Sequence, residues 1–180
     1  MDYYRNMDLL YWSEDPLSIK GVQYRTVTDL VEEPVSLEFF KQHARIDFDT
    51  DDNLVSAYIK AARQELEQWS QLSFGVKTIG LRARELPDDY KLMFGPVNEI
   101  TVPTTGYTLF GDLLSPGGEN VEIEYTTTGL INEAVKIAIC RYAAGLYIYR
   151  ENIIESQNTY RQLTDEAKMM LEPYKNITWP

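Results

Sequence analysis

Cysteine and histidine are almost missing from this sequence: Cys140 and His43 are the only ones in 180 residues. One thiol rules out a disulfide framework or a cysteine-based zinc site within one chain, and it fits a reducing compartment. One imidazole removes most acid–base triads and every multi-histidine metal site, so His43 reads as an ordinary helix-surface residue. Positive charge is also scarce. The chain has 17 Lys and Arg against 28 Asp and Glu, a net charge of −11. That excludes a protein that grips nucleic acid by neutralising phosphates, because such a grip needs clustered cations. Long apolar runs are lacking too. The longest, residues 134–149, falls short of the ~20 residues of a membrane span and carries Lys136 and Arg141, so it reads as a buried helix and no membrane partner is expected. The first 20 residues hold no basic region followed by an apolar core, so neither secretion nor organelle import is signalled and a cytoplasmic product is expected.

The usual signatures of catalysis are missing as well. No GxSxG, P-loop, GxGxxG, HExxH or paired CxxC occurs. Carboxylate pairs such as Asp88 with Asp89, or Glu122 with Glu124, have the composition of a glycosidase pair, but a chain this acidic makes such pairs by chance. The Asn176-Ile177-Thr178 sequon carries little meaning without a secretory signal. No enzyme, cofactor or metal is expected. The one stretch that invites a metal is Asp47-Phe48-Asp49-Thr50-Asp51-Asp52, with acids at positions one, three and five of a calcium loop. Such a loop needs Gly at six and Glu at twelve, where this chain has Asp52 and Tyr58. The aspartates instead suit a helix start, with Asp49 or Thr50 as N-cap and Asp51 and Asp52 against the positive end of the helix dipole.

The length and a 44% hydrophobic content suit one main domain, since domains typically run to roughly 100–200 residues. Residues 1–35 mix aromatics with acids and read as an extended arm, within which residues 23–30 have a weak strand pattern. Ser36 caps a short helix over 37–44, with Leu37, Phe40 and Ala44 on one face. The long helix that follows the aspartates carries a stripe of Leu54, Tyr58, Ala61, Ala62, Leu66 and Trp69, with Lys60, Arg63, Gln64 and Glu67 off it. Then the period changes from 3.6 to two. Ile79, Leu81 and Ala83 alternate with Arg82 and Arg84, and Val121, Ile123 and Tyr125 alternate with Glu122 and Glu124. If these strands pair, Arg82 and Arg84 face Glu122 and Glu124. Residues 97–102 form a short apolar strand between prolines, and Ser115–Asn120 form a turn. After Gly129, Asn132 caps a second long helix that is apolar around most of its circumference, and so is buried in its own core or against a neighbouring subunit. Near the end, Asp165 and Glu166 suit a first turn after Thr164, with Ala167, Met170 and Leu171 as a narrow stripe and Pro173 as the stop. The expected fold is α+β and mainly helical, with two long helices and a short C-terminal helix packed on a small antiparallel sheet. The tail carries Tyr174, Ile177 and Trp179, which either anchor in a partner's pocket or fold back on their own domain.

In order, these pieces resemble the tailed-phage head–tail connector family. The matching positions are Arg45, Ile46, Asp47, Asp51, Asp52, Ala61, Ala62, Glu67, Pro96, Val97, Ile100, Val102, Val121, Ile123, Tyr125, Gly129, Ala134, Tyr149, Arg150 and Glu151. The resemblance covers residues 36–152, leaving 1–35 as an arm without counterpart and 153–180 as a C-terminal helix and tail. The chain departs from the family pattern in two places: Tyr125-Thr126-Thr127-Thr128-Gly129 lacks the usual small residue before the glycine, and the link to the next helix lacks a common proline. The resemblance implies a structural adaptor that forms a homo-oligomeric ring of about twelve copies beneath the portal. Such a ring joins the capsid to the next neck or tail protein and lines the channel through which DNA passes without specific binding. The implied location is the neck of a virion assembled in the host cytoplasm. It further implies portal docking by Tyr174, Ile177 and Trp179, and subunit contact through Tyr58, Trp69 and Tyr147. Glu65, Glu67, Asp88 and Asp89, acidic and off the apolar stripes, are candidates for the channel wall. A stopper or tail-completion ring is the alternative reading, and a carboxylate-metal protein or enzyme a more distant one.

Overall fold

The computed structural model describes residues 13–14, 21–149 and 157–175, with 13–14 and 157–161 by backbone alone. Two compact units emerge. One takes Val76–Gly129 with the chain up to Leu30, and the other takes Val31–Gly75 with Leu130–Asn176.

The first unit is a sheet unit, and its period-two patterns become strands: β1 (Ser13–Glu14), β2 (Val22–Thr28), β3 (Thr78–Leu86), β4 (Tyr90–Lys91), β5 (Val97–Val102), β6 (Thr108–Phe110), β7 (Leu113–Ser115) and β8 (Gly118–Thr127). All pairs are antiparallel, in the orders β1-β2-β3-β8-β5 and β4-β7-β6. Within the stretch read as an arm, residues 22–28 are therefore a full strand of the larger sheet. Register sorts the faces: Tyr24, Leu81 and Ile123 share one buried row, while Gln23, Arg82 and Glu122 share the row beside it on the opposite face. Arg82 does lie opposite Glu122, as the alternation predicts. Glu124 differs from expectation: Gly80, not Arg84, lies opposite it, and its carboxylate meets Arg25 of β2 at 3.4 Å. A Cβ on Gly80 would stand 3.1 Å from the Arg25 side chain, so the missing side chain leaves Arg25 the space to reach across β3.

Three tyrosines close the sheet unit. The Tyr24 and Tyr90 hydroxyls lie 3.0 Å apart, and the Tyr125 hydroxyl donates to the Met93 carbonyl. Burial pushes the Tyr24 and Tyr125 hydroxyls well above the ordinary tyrosine value of 10.0. The fold thus favours the protonated phenols, a contribution fully present below about pH 10 and lost as pH rises toward the raised values. Urea midpoints measured across this alkaline range should fall with pH, and Tyr24→Phe should fall less steeply than wild type.

The second unit is helical: α1 (Leu37–Ala44), α2 (Asp52–Ser70), α3 (Glu133–Ile148) and α4 (Gln157–Leu171), ending in a 3₁₀ turn at Glu172–Tyr174. Ser36 caps α1 by accepting from the Phe39 N–H, and Asn132 caps α3 by accepting from the Val135 N–H, as predicted. His43 lies exposed on α1. Two expectations need correction. Helix does not dominate a chain whose strands reach nine and ten residues, so the fold is a mixed α+β one. Nor is the C-terminal helix short: α4 has 15 residues, close to the 16 of α3, and Thr164 is buried within it rather than capping it. Its polar first half carries no apolar period, and the helix is held by packing of Ala167 and Leu171 along α3.

The stripe of α2 is also rotated. The buried residues are Val55, Ile59, Ala62, Arg63, Leu66, Glu67 and Ser70, while Leu54 and Ala61 are exposed. A buried ion cluster explains the rotation. The Arg63 guanidinium forks onto Glu33, with Nε and Nη2 at 2.8 and 3.0 Å from its two carboxylate oxygens, and donates through Nη1 to Glu67 at 2.8 Å. Glu67 also accepts the Phe74 N–H at 2.7 Å. A guanidinium so fully partnered can be buried, so these residues face inward although their type predicts the opposite. Arg63→Ala leaves buried carboxylate charge without its cation and should cost about 3–5 kcal/mol in urea unfolding. A cost below about 1 kcal/mol, the range of a surface pair, would show that the cluster does not hold the unit.

Candidate functional site

The opening aspartates work as ties between helices. The N-cap of α2 is Asp51, not Asp49 or Thr50, and its side chain accepts no capping bond from the helix. It accepts instead the Tyr147 hydroxyl of α3 at 2.8 Å. The Lys41 ammonium of α1 donates to Asp49 at 2.5 Å and to Asp52 at 2.8 Å, and these hydrogen bonds, Asp49's first, raise its pKa. Three acids expected at one helix start therefore hold α1 and α3 to it. Among the described residues, no group of three or more His, Cys, Asp or Glu side chains is placed to hold a metal ion. Cys140 is buried in the helical core, where burial pushes its thiol up to about 11.

Of the residues expected at a subunit contact, Tyr58 and Tyr147 are brought together. Their rings stand 6.3 Å apart and nearly perpendicular, both half-buried. Leu54, one turn before Tyr58, is 40% exposed, and Ile148, beside Tyr147, is 60% exposed. Ala61, three residues after Tyr58, is exposed as well, so helix spacing puts Leu54, Tyr58 and Ala61 on one side of α2. Trp69 lies elsewhere, in the last turn of α2, with the Lys175 ammonium 4.3 Å from its ring centroid. Of the expected docking residues, Tyr174 is 39% exposed in the 3₁₀ turn after α4, while Ile177 and Trp179 lie outside the described residues, as do Arg150 and Glu151. Glu65, Asp88 and Asp89 are exposed, whereas Glu67 is buried on Arg63 and leaves the list of channel-wall candidates. On the sheet unit, an open groove of about 630 Å³ is lined by Gln23, Arg82, Arg84, Asn120 and Glu122, a row of mixed charge on the outer strand face. Among the described residues, no helix is long and apolar enough to cross a membrane.

The profile of the phage gp6-like head-tail connector protein family matches residues 34–178, most of the chain. The chain belongs to this family. As a head–tail connector it is a structural part of the joint between head and tail. No curated protein is significantly similar to it in sequence. Among solved structures, the connector is similar to a chain in the virion of a native gene transfer agent particle, with a TM-score of 0.61 and 18% identity. It is similar also to chains in the neck of an empty particle of that agent computed with C6 symmetry (TM-score 0.60, 17% identity) and in the neck of a native particle computed with C12 symmetry (0.58, 18%). Each match covers 81% of this chain and 94% of the other, so the fold is shared over about four-fifths of this chain.

Sequence reasoning missed the Glu33–Arg63–Glu67 cluster and the Trp69–Lys175 contact, which join residues distant in sequence. The i,i+4 spacing of Arg63 and Glu67 was the one visible signal of the first. Tyr147→Phe removes the bond to Asp51 while keeping the ring, and should lower unfolding stability by about 0.5–1.5 kcal/mol. An unchanged urea midpoint would mean that this bond does not tie α3 to the start of α2.

Proposed function

We propose that this connector closes into a homo-oligomeric ring in the neck of a phage-like particle, with twelve copies as the expected number. The ring stands beneath the portal, joins it to the next neck or tail component, and surrounds the channel through which DNA leaves. Its role is structural rather than enzymatic. The observation that carries the ring is the exposure of apolar Leu54 and Ala61 on α2 and Ile148 on α3, the two helices whose Tyr58 and Tyr147 rings meet. An apolar surface of this kind is stabilised when a neighbour covers it, and a head-to-tail contact between copies closes into a ring when the rotation allows. The similarity to neck chains computed with C12 and C6 symmetry supports the same reading.

The net charge of −11 suits a channel wall, since passing DNA is not held by counterion-releasing contacts. Exposed Glu65, Asp88 and Asp89 are the candidates for that wall. Residues 36–152 make the ring body in this reading, joined by the C-terminal helix that packs Ala167 and Leu171 against it, and the residues after that helix supply the docking tail. Tyr174, with Ile177 and Trp179 beyond it, is the portal anchor: aromatic residues that enter a partner's pocket dominate the energetics of such contacts. Trp69 belongs with the ring contacts only through the part of its ring that Lys175 leaves open.

The mass of the purified protein, alone and mixed with the portal of the same particle, tests the ring. A ring of about twelve copies in either sample is expected. A monomer indifferent to the portal would overturn the proposal.

A further inference from the structure

The end of the helical unit holds a contact that a structural joint does not need for its core. Leu171 is fully buried and fixes the end of α4 in that core. The chain then turns through Glu172–Tyr174, with the Lys175 N–H bonded to the Glu172 carbonyl at 3.3 Å. This turn carries the Lys175 ammonium over the indole of Trp69, 4.3 Å from the ring centroid. Trp69 is the penultimate residue of α2, and the last turn of α2 contains no basic residue of its own. The ring face attracts the cation through its quadrupole. Both side chains are half-buried, where this attraction is screened less than on an open surface.

We infer that Trp69 and Lys175 form a clasp that fixes where the C-terminal tail leaves the helical unit, and so positions the tail for its partner. The inference rests on the tail-docking reading above and deepens it. A tail that leaves from a fixed root has fewer conformations to lose on docking than one that swings from the end of α4, so the clasp strengthens docking without touching the portal. Trp69 and Lys175 are positioning residues in this scheme. The same contact occupies one face of Trp69 and leaves the rest of its ring for a subunit contact.

The test uses the full-length protein with Lys175→Met, Lys175→Arg and a deletion of residues 176–180, and it takes two readouts. One is amide hydrogen exchange at Glu172, Tyr174 and Lys175 in the free protein, and the other is affinity for the portal of the same particle. Lys175→Met should speed exchange and weaken portal binding about three- to tenfold, while Lys175→Arg, which keeps the cation over the ring, restores both. Unchanged exchange in Lys175→Met would overturn the clasp. Faster exchange with unchanged portal affinity, in a protein whose binding the deletion abolishes, would overturn the positioning role and leave tail docking standing. A deletion that leaves portal binding intact would remove tail docking, and the positioning role with it. Unfolding midpoints of the variants matching wild type confirm that the core is not what changed.

Discussion

The helical unit depends on one buried cation. Arg63 is only 1% exposed, yet its guanidinium is answered by Glu33 from the segment ahead of α1 and by Glu67 one turn along α2. Taking the Arg63 and Glu67 charges out of water costs several kcal/mol for each, and the cost is offset only when geometry and hydrogen bonding are nearly complete. Here the fork is bidentate on Glu33, and the second oxygen of Glu67 takes the Phe74 N–H of the loop after α2. The cluster thereby joins the segment before α1, the middle of α2 and the chain beyond its end. It also sets the rotation of α2. Once Arg63 and Glu67 point inward beside Val55, Ile59, Ala62 and Leu66, the positions Leu54 and Ala61 must turn outward.

That rotation links stability to assembly. Had the stripe predicted by hydropathy been the buried one, Leu54 and Ala61 would lie in the core and α2 would present a charged face. Instead the helix spends charge inside and leaves apolar groups at its rim, next to a tyrosine pair held in place by Asp51. A helix that buries ions and exposes leucine leaves apolar area in water, which the neighbour in the proposed ring would remove. The acidic opening of α2 is spent on other helices. Its carboxylates hold Lys41 of α1 and Tyr147 of α3.

The sheet unit is organised by alternation with one exception that matters. Rows of buried Tyr24, Leu81 and Ile123 stand beside outer rows of Gln23, Arg82 and Glu122. Gly80 interrupts the outer side, and Arg25 crosses the gap to Glu124. The buried hydroxyls of Tyr24, Tyr90 and Tyr125 are hydrogen-bonded to one another or to Met93, so the aromatic core carries its polar atoms without leaving them unmet.

Local signals were legible without any structure. Ser36 and Asn132 were readable as caps because a cap is set by one side chain and a backbone N–H three residues away. Strands β3 and β8 were readable because a period of two needs only neighbours. The order of these pieces resembles the connector family, and the profile match over residues 34–178 agrees. What the sequence could not reveal was decided by partners far along the chain. Arg63 counts as a surface residue until Glu33, 30 positions earlier, arrives to bury it. Glu124 takes its cation from Arg25, 99 positions away, because the side chain between them is missing. Trp69 lost a face to Lys175 only when the turn after α4 brought the two together. Capping and strand alternation are encoded within a few residues, so the sequence alone determined the caps of α1 and α3, the faces of β3 and β8, and the family. The burial of a charge depends on the net field of all its neighbours in space, so only the tertiary structure decided which face of α2 lies inside and which lies outside.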